Sequence, residues 1–308
     1  MYMQPNIVDY PNTFNATYPS RNHEYTKEKV AKMSALIEEK IKHFKAHPTL
    51  GIICGSGLGE VTKAVKDPVT IAYKDIPGFP RSTVQGHAGQ FVIGYIHDVL
   101  VVCMQGRFHF YEGYDIGTCC LPVKLLKLLG CHSLIISNAA GGLNAEFNVG
   151  DIMIIHDHIN LMGFSGNGPL VGPNDESWGP RFFSMHNAYN PAFIKAAKEQ
   201  MRKKNMPEHV GVYTALGGPH FETVAELRML KSQGVDAVGM STVHEVVMAR
   251  YLGLHVFSFS LITNKCPTTY DGDKNVNHQE VIDTGREKAH VLVDFVRDLV
   301  PVLDSIKD

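Results

Sequence analysis

The sequence lacks the features that would tie it to a membrane, to nucleic acid or to an oxidising compartment. No apolar run reaches the roughly 18 residues needed to cross a bilayer. The opening residues, MYMQPNIVDY, have no basic patch followed by an apolar stretch, the mark of a secretory signal. Cysteine is sparse and unpatterned. Cys54, Cys103, Cys119, Cys120, Cys131 and Cys266 form no CxxC spacing and sit mostly in apolar runs, as buried free thiols in a reducing compartment do. The cytoplasm is therefore the expected location. An excess of charge is missing too: 29 basic residues face 31 acidic ones, for a net charge of -2. That excludes the basic footprint of a nucleic-acid-binding domain, so any anionic ligand must be small and held by a local site.

Internal repeats, low-complexity tracts and linkers are also absent, which predicts one domain over residues 24–308. Residues 1–23, rich in Asn, Pro and Tyr and without a clear period, are expected to form an N-terminal arm. What is present suits a globular protein: 44% hydrophobic residues against 19% charged, enough for a sizeable core in 308 residues.

The apolar spacing of Val30, Met33, Leu36, Ile37, Ile41 and Phe44 predicts a helix from Thr26, closed by Pro48. Short apolar strands are predicted over 50–54, 100–104, 134–137, 152–155, 237–240 and 256–263. Two capping boxes, Thr223–Glu226 and Thr242–Glu245, predict helices that stop at Gly234 and Gly253. A looser signal at Asn277–Glu280 predicts one final helix running through Val296. Strands alternating with helices define an α/β fold, a sheet with helices on both faces.

Four strand ends carry the chemistry. Gly55-Ser56-Gly57-Leu58-Gly59 can turn backbone N–H groups and the Ser56 hydroxyl toward an anion, although a tight turn explains its glycines equally well. Arg107 and His109, two apart on an extended chain, face one side and suit a phosphate oxyanion. Around Ala139, the run Ser137-Asn-Ala-Ala-Gly-Gly142 lets a ligand approach the backbone. Ser241 lies beside the free N–H groups of a helix start. Together they predict a phosphate or nucleotide site. His156-Asp-His158 has no further ligands at useful spacing, so no metal is expected.

Nine segments then match one family in order and spacing. GIICGSGLG, PGFPRSTVQGHAG, MQGRFHFYEGY, SNAAGGLN, VGDIMIIHDHIN, GPNDESWGPRF, GGPHFETVAE, AVGMSTVHEV and SLITNK resemble the trimeric, 6-oxopurine-specific purine nucleoside phosphorylases. The likeness covers nearly everything from about residue 25 to 300. It implies a single-domain nucleoside-phosphorylase fold, a mixed twisted sheet, partly barrel-like, flanked by helices. It implies a homotrimer acting in purine salvage, with inorganic phosphate as co-substrate and no cofactor.

By the same resemblance, phosphate would be held by Ser56, Arg107, His109, the Ala139 backbone and Ser241, with His87 as a gate or as packing. The ribose would meet Tyr111, Met240 and His278, with Phe182 reaching in from a neighbouring subunit. Phe221, Glu222, Val238, Thr263 and Asn264 would line the base. Glu222, just before the Thr223 cap, is expected to be ionised by the positive helix end. It would accept from N1–H of a 6-oxopurine, while Asn264 bridges O6 and N7. Catalytic weight would fall on Asn264, Glu222 and His109. Inosine and guanosine are the implied substrates.

Two residues depart from the family pattern: His244, where proline is usual, and His220, where a small hydroxyl residue is usual. The segment from Cys266 to Asp273, expected as a lid, also carries unfamiliar residues. A methylthioadenosine phosphorylase would favour an acid in place of Asn264 and an apolar residue in place of His278. A dinucleotide-binding oxidoreductase would need the full glycine fingerprint and, in a matching βαβ unit, an acid roughly 20 residues later, and the sequence lacks that combination. A non-catalytic nucleotide-binding protein is opposed by the retention of every phosphate and base residue.

Overall fold

The computed structural model describes residues 25–84, 86–271 and 277–306. The arm expected over 1–23 and the end of the expected lid, from 272, lie outside the described residues. Among the described residues nine strands run in chain order: β1 (Leu50–Cys54), β2 (Lys66–Ala72), β3 (Gln90–Ile96), β4 (Val99–Gln105), β5 (Ser133–Gly142), β6 (Ile152–Ile159), β7 (His209–Ala215), β8 (Ala237–Gly239) and β9 (His255–Lys265). They form one sheet in the order β2-β3-β4-β1-β5-β8-β7-β6-β9.

An additional pairing of β5 with β9 closes the last five strands on themselves. β5 pairs with β8 and β9, β7 bridges β8 and β6, and β6 returns to β9. The result is a five-strand barrel continued by an open wing of four strands, with β5 shared between them. The mixed, partly barrel-like sheet expected from the sequence is what forms. Three strands, β2, β3 and β7, carry too little unbroken apolar pattern to have been predicted.

The wing and barrel bury both faces. Along β4, Leu100, Val102 and Met104 enter one core while Val99, Val101 and Cys103 enter the other. This is the two-residue alternation of a strand covered on both sides. The first core takes helices Lys27–Ile41, Leu121–Leu128 and Val243–Tyr251; the second takes Pro191–Lys203 and Ala289–Ser305. In the first helix Val30, Met33, Ile37 and Ile41 are buried as the spacing predicts, whereas Leu36 faces solvent.

Several local expectations are corrected. The glycine-rich turn leads into a 3-10 helix, Gly59–Ala64. β5 runs on from the predicted end at Ser137 through Gly142, and β9 from Thr263 through Lys265, so Asn138–Gly142 and Asn264 are fixed by strand pairing. The final helix breaks at Lys288 into His278–Glu287 and Ala289–Ser305. The first of these packs against the glycine-rich turn so closely that a Cβ on Gly285 would lie 2.8 Å from the Gly57 Cα. Gly57 itself takes φ 75, a conformation that suits glycine. That contact brings the N-terminus of the helix, and His278 with it, to the mouth of the site. Among the described residues no helix is long and apolar enough to cross a membrane.

Candidate active site

One cavity of about 410 Å³ opens where β1, β4, β5, β8 and β9 end. Its walls include Ser56, Arg107, His109, Ala139 and Ser241, the five residues expected at phosphate. They also include Phe221, Glu222, Val238, Thr263 and Asn264, expected at the base, and Tyr111, Met240 and His278, expected at the ribose. These residues come from separate stretches of chain, and the fold gathers them. Two expected residues are not in the wall. Phe182 is 88% exposed on the outer surface. His87 stands one layer back, behind Ser56.

Arg107 anchors one end. Its guanidinium is sealed from solvent, with Nε donating to Glu245 Oε1 at 3.1 Å and Nη1 to Ser241 Oγ at 3.0 Å. Nη2 is buried with no protein partner. A buried donor left unpaired is costly, and an anion in the cavity would relieve it. Gly55 gives the guanidinium room: a Cβ there would lie 3.1 Å from Nη1 and 2.8 Å from the Ser137 carbonyl.

The two imidazoles beside it have defined protonation. His109 receives Glu112 Oε1 on Nδ1 at 3.1 Å, and the same carboxylate accepts from the His109 backbone N–H at 2.8 Å. Burial resists ionisation of Glu112, yet hydrogen bonds from His109 and Thr83 hold its pKa down to about 2. Burial also lowers the pKa of His109, against the pull of Glu112. His109 is therefore neutral at neutral pH, with its proton on Nδ1 and Nε2 free as an acceptor. The ring stacks on Tyr111 at 4.7 Å between centroids.

His87 Nδ1 lies 3.1 Å from the Arg107 carbonyl, which can only accept, so this nitrogen carries the proton. Burial, followed by the repulsion of His109 and Arg107, pushes its pKa down to about 3. Its Nε2, at 3.1 Å from Ser56 Oγ, then accepts the Ser56 proton.

At the other end, Asn264 is 9% exposed, and its Oδ1 accepts from Thr263 Oγ1 at 3.2 Å, leaving Nδ2 as the free donor. Only a glycine fits beneath it, since a Cβ on Gly141 would lie 3.2 Å from Nδ2 and 2.5 Å from Cys266 Sγ. At Glu222 burial opposes the helix end. Thr223 does cap the following helix in a full capping box, but burial dominates and raises the Glu222 pKa. His220 lies outside the cavity wall, its Nδ1 set on the Phe221 carbonyl at 3.0 Å.

The second capping box does not form. Thr242 makes no side-chain cap, and Glu245 turns inward to Arg107. His244 is buried with both ring nitrogens unpartnered, and burial pushes its pKa down to about 3. Sequence reasoning missed Glu112 and Cys266. The three-residue spacing from His109 to Glu112 was a signal for the first, and the two-residue strand spacing from Asn264 to Cys266 for the second. Among the described residues no three His, Cys, Asp or Glu side chains cluster as a metal site.

An α/β fold with a nucleoside-sized cavity, anion-binding at one end and amide- and carboxylate-lined at the other, is the frame of an enzyme that acts on a phosphate and a heterocycle together. Residues 49–301 match the model of the phosphorylase superfamily. The purine nucleoside phosphorylase of Anopheles gambiae is 49% identical over 90% of this chain and 78% of its own length. That of Mus musculus is 50% identical over 84% of this chain and 91% of its own. The Schistosoma mansoni purine nucleoside phosphorylase in complex with adenosine superposes with a TM-score of 0.86 at 43% identity, covering 94% of this chain and all of that one. The chain belongs to the purine nucleoside phosphorylases of the phosphorylase superfamily, and its reaction is the phosphorolysis of purine nucleosides.

Proposed function

We propose that the preferred substrates are 6-oxopurine nucleosides, inosine and guanosine with their 2′-deoxy forms. Inorganic phosphate is the co-substrate, no cofactor takes part, and the products are the free base and (deoxy)ribose 1-phosphate. The observation that carries this reading is the division of one cavity. A buried arginine with a free Nη2, a neutral histidine and two serines stand at one end, and Glu222 with Asn264 at the other.

Phosphate lies against Arg107, Ser56, Ser241 and the backbone at Ala139, with His109 Nε2 accepting the proton of the hydrogen phosphate dianion. The Ser56 hydroxyl swings from His87 to phosphate, so His87 acts by holding that serine in readiness. Tyr111, Met240 and His278 line the ribose. The purine lies between Phe221 and Val238, its N1–H donated to the Glu222 carboxylate. Thr263 fixes the amide of Asn264, and Nδ2 donates toward N7.

As the C1′–N9 bond breaks, its electron pair passes into the purine and positive charge gathers on the ribose. Phosphate oxygen then bonds C1′ from the opposite face, which inverts that centre. No protein nucleophile is needed, and the rate comes from positioning and preorganised donors.

Phe182, exposed on the loop that leads to the helix Pro191–Lys203, completes the ribose site of a neighbouring subunit in a homotrimer. The place of work is the cytoplasm, in purine salvage. The test is base release from inosine, guanosine, adenosine and methylthioadenosine, each with and without phosphate. Phosphate-dependent turnover of the first two, far above the others, is expected. Preference for methylthioadenosine, or release without phosphate, overturns the reading.

A further inference from the structure

Four non-glycine residues among those described have positive φ. Asp67, His97 and Asn205 lie at φ 50 to 52, in the left-handed region that such side chains tolerate. Thr242 differs. It has φ 73 and ψ -55, and the Val243 N–H donates to the Ser241 carbonyl across it at 2.8 Å. This is the γ-turn of the rare, strained hand, centred on a β-branched residue that is 0% exposed.

The turn sets the Thr242 hydroxyl between two partners. Asn138 Nδ2 stands 2.9 Å from Thr242 Oγ1, and Ser241 Oγ stands 3.2 Å from it. The direction of these bonds follows from counting protons. The Asn138 amide nitrogen can only donate, so Thr242 Oγ1 accepts. The Arg107 guanidinium can only donate, so Ser241 Oγ accepts from Nη1 at 3.0 Å. If Ser241 gave its proton to Thr242, the Thr242 proton would be buried with no acceptor. The arrangement that strands neither hydroxyl proton runs from Asn138 to Thr242 to Ser241. Ser241 Oγ then accepts twice, and its own proton is free to turn between the Tyr213 hydroxyl and the cavity that it lines. Its backbone N–H is occupied separately, by the Tyr213 hydroxyl at 3.5 Å.

We infer that Thr242 is a positioning residue for phosphate: its hydroxyl, held by Asn138 in the strained turn, makes Ser241 a donor to the anion. The inference rests on the placing of phosphate beside Ser241 proposed above. Ser56 is prepared in the opposite way, with its proton lent to His87 until the anion arrives. The strain then has a use, since a relaxed turn would carry the Thr242 hydroxyl away from this chain of donors.

Three variants of Thr242, read against Ser241→Ala, decide the matter. Thr242→Val keeps the branched shape and deletes the hydroxyl; the KM for phosphate is expected to rise about tenfold or more, with the KM for inosine within about twofold. Thr242→Ser, which keeps the hydroxyl, is expected to restore the phosphate KM. Thr242→Gly suits φ 73 and folds even where valine does not; it is expected to be at least as heat-stable as the parent and yet to need more phosphate. A purely structural turn would give a stabilised glycine variant with unchanged phosphate KM, and that result overturns the inference. In the Ser241→Ala background Thr242→Val is expected to add nothing further, because the two act through one bond. If Ser241→Ala itself leaves the phosphate KM unchanged, the placing of phosphate is at fault. If Ser241→Ala raises it and neither Thr242→Val nor Thr242→Gly does, the role of Thr242 is at fault.

Discussion

Arg107 Nε lies 3.1 Å from Glu245 Oε1, and the two side chains are 1% and 2% exposed. This ion pair, sealed beneath the cavity floor, is held by the turn after β4 on one side and the helix Val243–Tyr251 on the other. It fixes the guanidinium so that Nη1 meets Ser241 and Nη2 stays free. Burial raises the Glu245 pKa while Arg107 opposes the rise. Since arginine keeps its proton at any working pH, the pair has a testable cost of disruption.

Glu245→Gln preserves shape and removes the compensating charge. Breaking a buried pair from one side typically costs about 3–5 kcal/mol. We expect a loss of that order in chemical denaturation, and we expect added phosphate to recover more stability in the variant than in the parent, by binding the stranded guanidinium. A variant as stable as the parent would mean that Glu245 is already protonated in the fold.

Asn264→Ala removes the donor placed at the departing purine. Loss of one preorganised donor of this kind costs about 2.7–4 kcal/mol of transition-state stabilisation. Inosine phosphorolysis under saturating phosphate is expected to fall by roughly two to three orders of magnitude in kcat. The circular dichroism spectrum should not change. Near-normal turnover would remove Asn264 from the mechanism.

Glu222 sets a pH dependence of specificity. Burial raises its pKa above the ordinary carboxylate range, so it takes up a proton at a higher pH than a solvated glutamate. Above that pKa the carboxylate accepts N1–H of a 6-oxopurine and opposes the bare N1 of adenine. Below it, the neutral carboxyl donates a proton and the preference reverses in sign. The ratio of kcat/KM for adenosine over inosine is therefore expected to rise as pH falls, and Glu222→Gln to raise it at neutral pH. A ratio that is flat with pH would detach Glu222 from base recognition.

Phe182 tests the assembly. Phe182→Ala is expected to raise the KM for inosine while leaving the circular dichroism spectrum unchanged. Sedimentation velocity of the parent should show a trimer. A monomer with full activity would show that the ribose site needs no second subunit.

Much of this protein is determined by the sequence alone. Alternating apolar strands, the Thr223–Glu226 capping box and the glycines at 55–59 and 141–142 act through neighbours a few residues away, and such local physics can be read along the chain. The nearness of Arg107 to His109 is local in the same sense. Only the tertiary structure decided how those pieces face one another. Closure of β5 onto β9 placed Ala139 and Asn264 on one wall, and the packing of Gly285 on Gly57 brought His278 to the mouth of the site. The same long-range contacts overruled local signals. At Glu222 burial outweighed the helix end that had argued for easy ionisation. At Thr242 and Glu245 a capping box was given up: Thr242 takes a γ-turn and Glu245 pairs with the buried Arg107. A sequence states which groups can cap, pair or ionise; which partner each one meets depends on residues more than a hundred positions away, and that is settled only when the chain closes.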